Sequence, residues 1–337
     1  MQIVSAISDR PTYIFITKQS KDAKYHFSMS QMSPMGEIFI FIRHQGIVKR
    51  LFLKFLSKNT RSLRTVFGCN TEFYYDVLSL FNSDVRKIDL IHAFATPDYG
   101  IEQYSLPSIS ILDARVVINL KTKQDLIEQY KYMHVNDSFV DRIITIENAV
   151  ENLHGEKKIL HQTFKVGYIG RWAKEKRPEL FISVGHGFKE KNADAQFIMA
   201  GFNNFTPKTD EEFIDFKGIL NDAELVDLYR SLDVLLVTSY REGMPLAIIE
   251  AMLYGVVVIA TSIGSIEEHI IDNETGFIVN NSPNEDHIVV SMRDNLQKLY
   301  DDRSLLERLS LNSYNHAQKT FKIEKFYKAY KNLLLNA

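Results

Sequence analysis

The sequence predicts an α/β protein with two domains facing across a cleft, and three observations carry that expectation. Residues 233–238 (DVLLVT) form a short, β-branched apolar run of the kind that makes a buried strand, and a polar loop over 239–245 follows it. Residues 246–254 (LAIIEAMLY) have the length and composition of a buried helix, stopped by Gly255, and a second buried strand fits 256–260. Strand, loop, helix, strand is a βαβ unit of an open parallel sheet, in which ligands bind at the carboxyl ends of strands. The 337 residues, 45% apolar and 24% charged, suffice for two domains of roughly 150 residues each. A polar, mixed-charge stretch with one glycine, 151–162 (ENLHGEKKILHQ), reads as a linker. The expected domains are 1–160 and 161–320, with a helix over about 321–337 packing back on the first.

Strands are expected at 13–17 and 37–42. From 46 to 63 the period becomes helical: Ile47, Val48, Leu51, Phe52 and Phe55 share one face, while Arg50, Lys54, Lys58 and Arg61 recur on another. Such a helix either packs its apolar side on a sheet or lies on an anionic membrane surface. A strand and a helix fit 65–80, and a strand at 89–95 (DLIHAFA) ends in a loop carrying His92. Then follow a strand at 115–119, a helix at 123–133 and a strand at 141–147. In the second half, a strand at 164–169 precedes a helix from Glu179, and 196–201 is the next strand. An edge strand at 216–220 leads into a helix at 222–229 capped by Asn221 or Asp222. Residues 305–335 read as helical.

One cysteine, Cys69, excludes an internal disulfide and a Cys-rich metal site. The opening MQIVSAISDRP has no charged region leading into an apolar core, and no apolar run approaches ~18 residues. A cytoplasmic location is therefore expected, peripheral on the inner face of the cell membrane if the 46–63 helix lies there. The net charge of −2 conceals an asymmetry, because residues 1–70 hold eleven Lys and Arg against three Asp and Glu. A basic segment of that size points to anionic partners. No recognisable nucleic-acid motif accompanies it, so nucleic acid is not expected among them.

Within 239–260, Glu242 and Glu250 are separated by seven residues, one in the loop and one inside the apolar helix. A carboxylate in such a helix needs a partner, since leaving it buried and unpaired costs several kcal/mol. Backbone N–H groups over 243–246, at the helix start, suit phosphate or sugar oxygens. The pattern Glu242-x7-Glu250 encloses Gly243, Met244, Pro245 and Leu246 and continues as Glu-Ala-Met and Gly-Val-x-Val. It resembles the donor-binding signature of retaining glycosyltransferases of the GT-B fold, family four (glycosyl transferases group 1). Upstream, Gly170-Arg171-x4-Lys176 resembles the same family's phosphate-binding loop, and Lys174 and Arg177 read as ordinary surface charges. His92 matches the first histidine of the family's Asp-x-x-His-x-His strand end, with Phe94 in the place of the second. Asn148-Ala149-Val150 resembles its Asn-Gly-Val. Ser265 and Asn273 occupy glycine positions of two later loops, and the family's Gly-Gly loop is absent from the chain.

The resemblance implies transfer of a sugar, with retained anomeric configuration, from a UDP- or GDP-linked donor to a saccharide or lipid-linked acceptor in cell-surface polysaccharide synthesis. Arg171 and Lys176 would stabilise the departing diphosphate, whose negative charge grows as the glycosidic bond breaks. Glu242 would sit by the donor sugar hydroxyls, Glu250 by the ribose, with Gly170 and the 243–246 backbone completing the donor site and His92 facing the sugar. No Asp-x-Asp pair or His/Cys ligand cluster is visible, so neither a metal nor a cofactor beyond the nucleotide sugar is expected. The alternative is a non-catalytic nucleotide-sugar-binding or partner-binding subunit of the same fold, suggested by Phe94 and the missing Gly-Gly.

Overall fold

Every strand pairing among the described residues is parallel, as expected when buried apolar runs are joined by crossover helices. The computed structural model describes residues 14–16, 38–40, 47, 50–55, 63–94, 99–150, 162–203, 211–243 and 245–335. The chain divides into two units, 1–147 with 323–337, and 148–322.

In the first unit, β1 (Ile14–Ile16) pairs with β2 (Ile38–Ile40). A separate sheet holds β3 (Thr65–Cys69), β4 (Arg86–Ile91), β5 (Ala114–Val117) and β6 (Ile143–Thr145), side by side in chain order. Its connections include α1 (Glu72–Val77), α2 (Ile101–Tyr104) and α3 (Leu120–Tyr132). The Asn119 side chain caps α3 by accepting from the Thr122 N–H at 2.6 Å. On the sheet side, Leu126 and Tyr130 of α3 pack with Ile91, Val117 and Ile143. The strand expected at 89–95 starts earlier and ends at Ile91, which leaves His92 just past its carboxyl end.

An ion pair lies inside this apolar sheet. Asp89 and Arg115 are register partners on β4 and β5, both buried, with Arg115 Nη2 2.6 Å from Asp89 Oδ2. Arg115 also donates to Ser105 Oγ and Tyr130 Oη, and Tyr75 donates to Asp89 Oδ2. A buried charge needs this completeness of partners.

The C-terminal helix, Ile323–Leu335, belongs to the first unit. It buries Phe326, Tyr330, Leu333 and Leu334, and its end carbonyls are held: Thr65 Oγ1 donates to Leu334 O and Arg86 Nη1 to Leu333 O. Helical residues 47 and 50–55 do not present the single apolar face expected of them. Phe52 is buried against Val77 with Phe55, Leu63, Phe73 and Phe81 around it, while Ile47, Leu51 and Leu53 are exposed. Residues 46, 48, 49 and 56–62 of that expected helix lie outside the described residues, as does most of the expected linker, and Leu63 is not helical.

The second unit carries β7 (Lys165–Ile169), α4 (Pro178–Lys189), β8 (Gln196–Ala200), β9 (Ile214–Gly218), α5 (Asp222–Ser231) and β10 (Val234–Val237). There follow α6 (Leu246–Leu253), β11 (Val257–Thr261), α7 (Ile266–His269), β12 (Gly276–Val279), α8 (Glu285–Asp301) and α9 (Arg303–Thr320). Strand order is β12-β11-β10-β7-β8-β9, so the expected edge strand is at the edge, two residues earlier than its apolar run suggested. Phe181, Val184, Phe188, Ile288, Met292 and Leu309 pack helices onto that sheet. Residues 305–335 are helical as two helices: α9 ends at Thr320, and the C-terminal helix expected over about 321–337 starts at Ile323.

Candidate functional site

The second sheet has a switch point. Chain order runs outward from β7 through β8 to β9 on one side, then returns to place β10, β11 and β12 on the other. The loops leaving β7 and β10 therefore diverge at their carboxyl ends, which opens a crevice where open α/β sheets bind ligands. Those two loops contain the Gly170–Lys176 and Glu242–Leu246 segments.

Backbone geometry sets how closely they approach. Gly201, after β8, has φ +104°, and a Cβ there would stand 2.7 Å from Gly170 O. Gly264 has φ +58°, and a Cβ on it would meet Glu242 O at 2.2 Å. These are positions only glycine fills without strain. Ser265, in a glycine position of the family pattern, donates its hydroxyl to Gly243 O at 2.8 Å, so the substitution adds a tie to the loop.

The side chains converge. Lys176, in a short 3-10 turn after β7, forms an ion pair with Glu242, and the Ser239 hydroxyl donates to the same carboxylate oxygen at 2.7 Å. Arg171 is exposed and pairs with Glu175 at 3.0 Å, four residues on. Glu250 is half-buried in α6, and Tyr229 of α5 donates to its Oε2 at 2.7 Å. Burial pushes the Glu250 carboxyl above the ordinary carboxylate range, with the Tyr229 hydrogen bond pulling the other way. Pro245 precedes α6, whose first N–H groups have no intrahelical acceptor, and Leu246 is exposed at that end. Met244 lies outside the described residues.

Arg177 is no surface charge. Its backbone is left-handed, with φ +46°, and its side chain is buried. The guanidinium donates to Thr238 O at 2.7 Å, Ser239 O at 2.9 Å and Asn281 Oδ1 at 2.7 Å. Thr238 returns a hydroxyl to Lys176 O at 2.8 Å, and the Tyr240 N–H donates to Glu175 O at 2.9 Å. The two loops are thus laced together beside the Lys176–Glu242 pair. Ser239, Tyr229, Arg177 and Ser265 escaped the reading of the sequence. Only the need of Glu250 for a partner signalled any of them, and the left-handed backbone of Arg177 runs against the extended bias that Pro178 imposes on the residue before it.

His92 lies in the first unit, at the carboxyl end of β4, with Cys69 Sγ at the end of β3 3.2 Å from its Nε2. Phe94 packs against the Ile91, Val117 and Leu126 core, so the residue in the second histidine's place serves packing.

A doubled parallel α/β architecture with a crevice of cations, carboxylates and a helix start defines the class. The chain superposes on HepE of Anabaena, solved in complex with UDP and glucose, with a TM-score of 0.75 over 98% of this chain and 93% of that one at 15% identity. It superposes on TarM with a TM-score of 0.70 over 85% and 58% at 21% identity. The fold is GT-B. Residues 150–316, within the second unit, match the glycosyl transferases group 1 family. Among the curated relatives, the D-inositol 3-phosphate glycosyltransferase of Corynebacterium aurimucosum is 25% identical over 61% of this chain and 53% of its own length. The capsular polysaccharide biosynthesis glycosyltransferase CapM of Staphylococcus aureus is 25% identical over 49% and 44%. Against the first curated relatives the chain spans between 38% and 54% of their length.

Proposed function

We propose that the chain is a retaining glycosyltransferase that moves a sugar from a UDP- or GDP-linked donor to a saccharide or lipid-linked acceptor in cell-surface polysaccharide synthesis. The observation that carries this reading is the Lys176–Glu242 pair, brought from two loops to one switch-point crevice. In this reading Arg171 and Lys176 face the diphosphate and offset the charge that grows on it as the glycosidic bond breaks. Glu242 and the 243–246 backbone take sugar hydroxyls and phosphate oxygens, Glu250 takes the ribose, and His92 faces the sugar. Two cations of the chain fill the charge-compensating role, so the transfer is proposed to need no metal.

Binding of the basic 46–63 segment to an anionic membrane is part of the same proposal, since a lipid-linked acceptor would be presented there. With Phe52 buried, the apolar share of that contact rests on the exposed Ile47, Leu51 and Leu53. No helix among the described residues is long and apolar enough to cross a membrane.

The test is a screen of UDP-, GDP- and ADP-sugars for binding and donor hydrolysis, with the anomeric configuration of the released sugar read by NMR. Hydrolysis of one donor class with retention is expected. Binding without hydrolysis would favour the non-catalytic subunit, and the absence of both would sink the nucleotide-sugar reading.

A further inference from the structure

Glu250 sits in α6 between Ile249 and Ala251, both fully buried, and its carboxylate reaches Tyr229 of α5. Tyr229 is itself 1% exposed, and its ring stacks on Tyr254 with centroids 5.9 Å apart and planes 4° from parallel. Packing therefore fixes where the phenol oxygen lies, and through the 2.7 Å bond it fixes one oxygen of the carboxylate. A carboxylate accepts through both oxygens. Holding Oε2 leaves Oε1 in a set direction.

We propose that Tyr229 is a positioning residue for the nucleotide: it holds Glu250 Oε2 so that Oε1 accepts from the vicinal hydroxyls of the ribose. The inference rests on the nucleotide-sugar reading and adds to it a residue outside the Glu242–Glu250 motif. Burial, and then the neighbouring Glu250 charge, hold the Tyr229 phenol well above its ordinary range. It stays protonated and donates to the carboxylate form. Buried charge-assisted bonds of this kind are worth more than neutral ones.

A pH signature follows. Burial and the Asp222 charge of α5 push the Glu250 carboxyl up and the Tyr229 hydrogen bond pulls it down, while Tyr254, at the end of its own helix, feels both Glu250 and Arg230. From the other side, α9 offers the neutral Ser310, which donates to Gly255 O. Ribose binding needs the carboxylate, so affinity is present above the Glu250 pKa and is lost as pH falls through it. Tyr229 favours the charged form; removing its hydroxyl must shift that acid limb to higher pH.

The experiment is calorimetric titration of the full chain with UDP, with GDP in a parallel arm, and with inorganic pyrophosphate, which carries no ribose. In Tyr229→Phe the nucleoside diphosphate Kd should rise about tenfold at pH 8. The pyrophosphate Kd should not change, and the acid limb should move upward. Glu250→Gln should weaken the nucleotide comparably and lose the limb. Wild-type nucleotide affinity in Tyr229→Phe with weakened binding in Glu250→Gln overturns the inference and spares the ribose assignment. Equal loss of nucleotide and pyrophosphate in Tyr229→Phe makes its role structural and overturns it too. Wild-type affinity in Glu250→Gln removes the ribose assignment and this inference with it.

Discussion

The Lys176 ammonium and the Glu242 carboxylate, 66 residues apart in sequence, are paired, and the Ser239 hydroxyl shares the same carboxylate oxygen. The cation assigned to the diphosphate and the acid assigned to the sugar thus compensate each other, with side chains only 19% and 10% exposed. In the proposed reading, a diphosphate arriving at Lys176 would compete with Glu242 and so free the carboxylate to face the sugar hydroxyls.

Lys176→Ala and Glu242→Gln should each lower turnover of the cognate donor by at least ~100-fold, because a lost transition-state charge contact costs roughly 3–4 kcal/mol. Since the two side chains touch, their effects should not add. The double variant is expected to lose clearly less than the product of the single losses, read as kcat/KM on one donor under fixed conditions. Near-wild-type turnover in both single variants would remove the assignment of this site.

Arg177→Ala should destabilise the second unit by about 3 kcal/mol, because two buried carbonyls and the half-buried Asn281 side chain lose a charged donor at once. Arg177→Lys should recover little, since an ammonium cannot span Thr238 O, Ser239 O and Asn281 Oδ1 as a planar guanidinium does. Urea unfolding of the three proteins checks this. Wild-type stability in Arg177→Ala would return the residue to the ordinary surface charge its sequence context suggests.

What could be read in advance follows the reach of each interaction. The βαβ unit over 233–260 was legible because its signals are local: a β-branched run, an apolar helix and Gly255, whose φ of +65° suits a helix end. The Gly170 and Gly243 loops were legible through their motif. Arg177 was hidden because its burial depends on carbonyls at Thr238 and Ser239, more than sixty residues away. Glu250 visibly required a partner, but no period or spacing in α5 points to Tyr229 as that partner. Asp89 and Arg115 each stand at the start of an expected strand, at 89–95 and 115–119. Their pairing depends on the β4–β5 register, which sequence alone does not supply. The 46–63 helix erred differently: one hydrophobic face was expected, and packing divided it between Phe52 inside and Leu51 outside.

Asp89→Ala should cost the first unit about 3–5 kcal/mol by leaving the Arg115 guanidinium buried beside hydroxyls alone. Replacing both members with apolar residues, as in Asp89→Leu with Arg115→Met, should cost less than Asp89→Ala, because no stranded charge remains. Denaturation midpoints of the two variants decide the matter. A double variant less stable than Asp89→Ala would show that the pair contributes more than mutual neutralisation.

The membrane proposal gives the last prediction. Lys49, Arg50, Lys54, Lys58 and Arg61 could each contribute about 1 kcal/mol near an anionic surface, so roughly 5 kcal/mol is the upper bound of the electrostatic share. That share must fade with salt, because the Debye length drops from ~10 Å at 0.1 M to ~3 Å at 1 M. The apolar share must come from Ile47, Leu51 and Leu53, 58%, 47% and 41% exposed, because Phe52 at 5% is committed to the core. Co-sedimentation with anionic vesicles should therefore fall in Lys54→Glu/Lys58→Glu/Arg61→Glu at low salt, and in Ile47→Asp/Leu51→Asp with little change in folding stability. Phe52→Asp should instead unfold the first unit, since it places a carboxylate among Val77, Phe73 and Phe81. Equal sedimentation of wild type and the charge-reversed protein at low salt would leave the helix as an ordinary packing element and take the membrane out of the proposal.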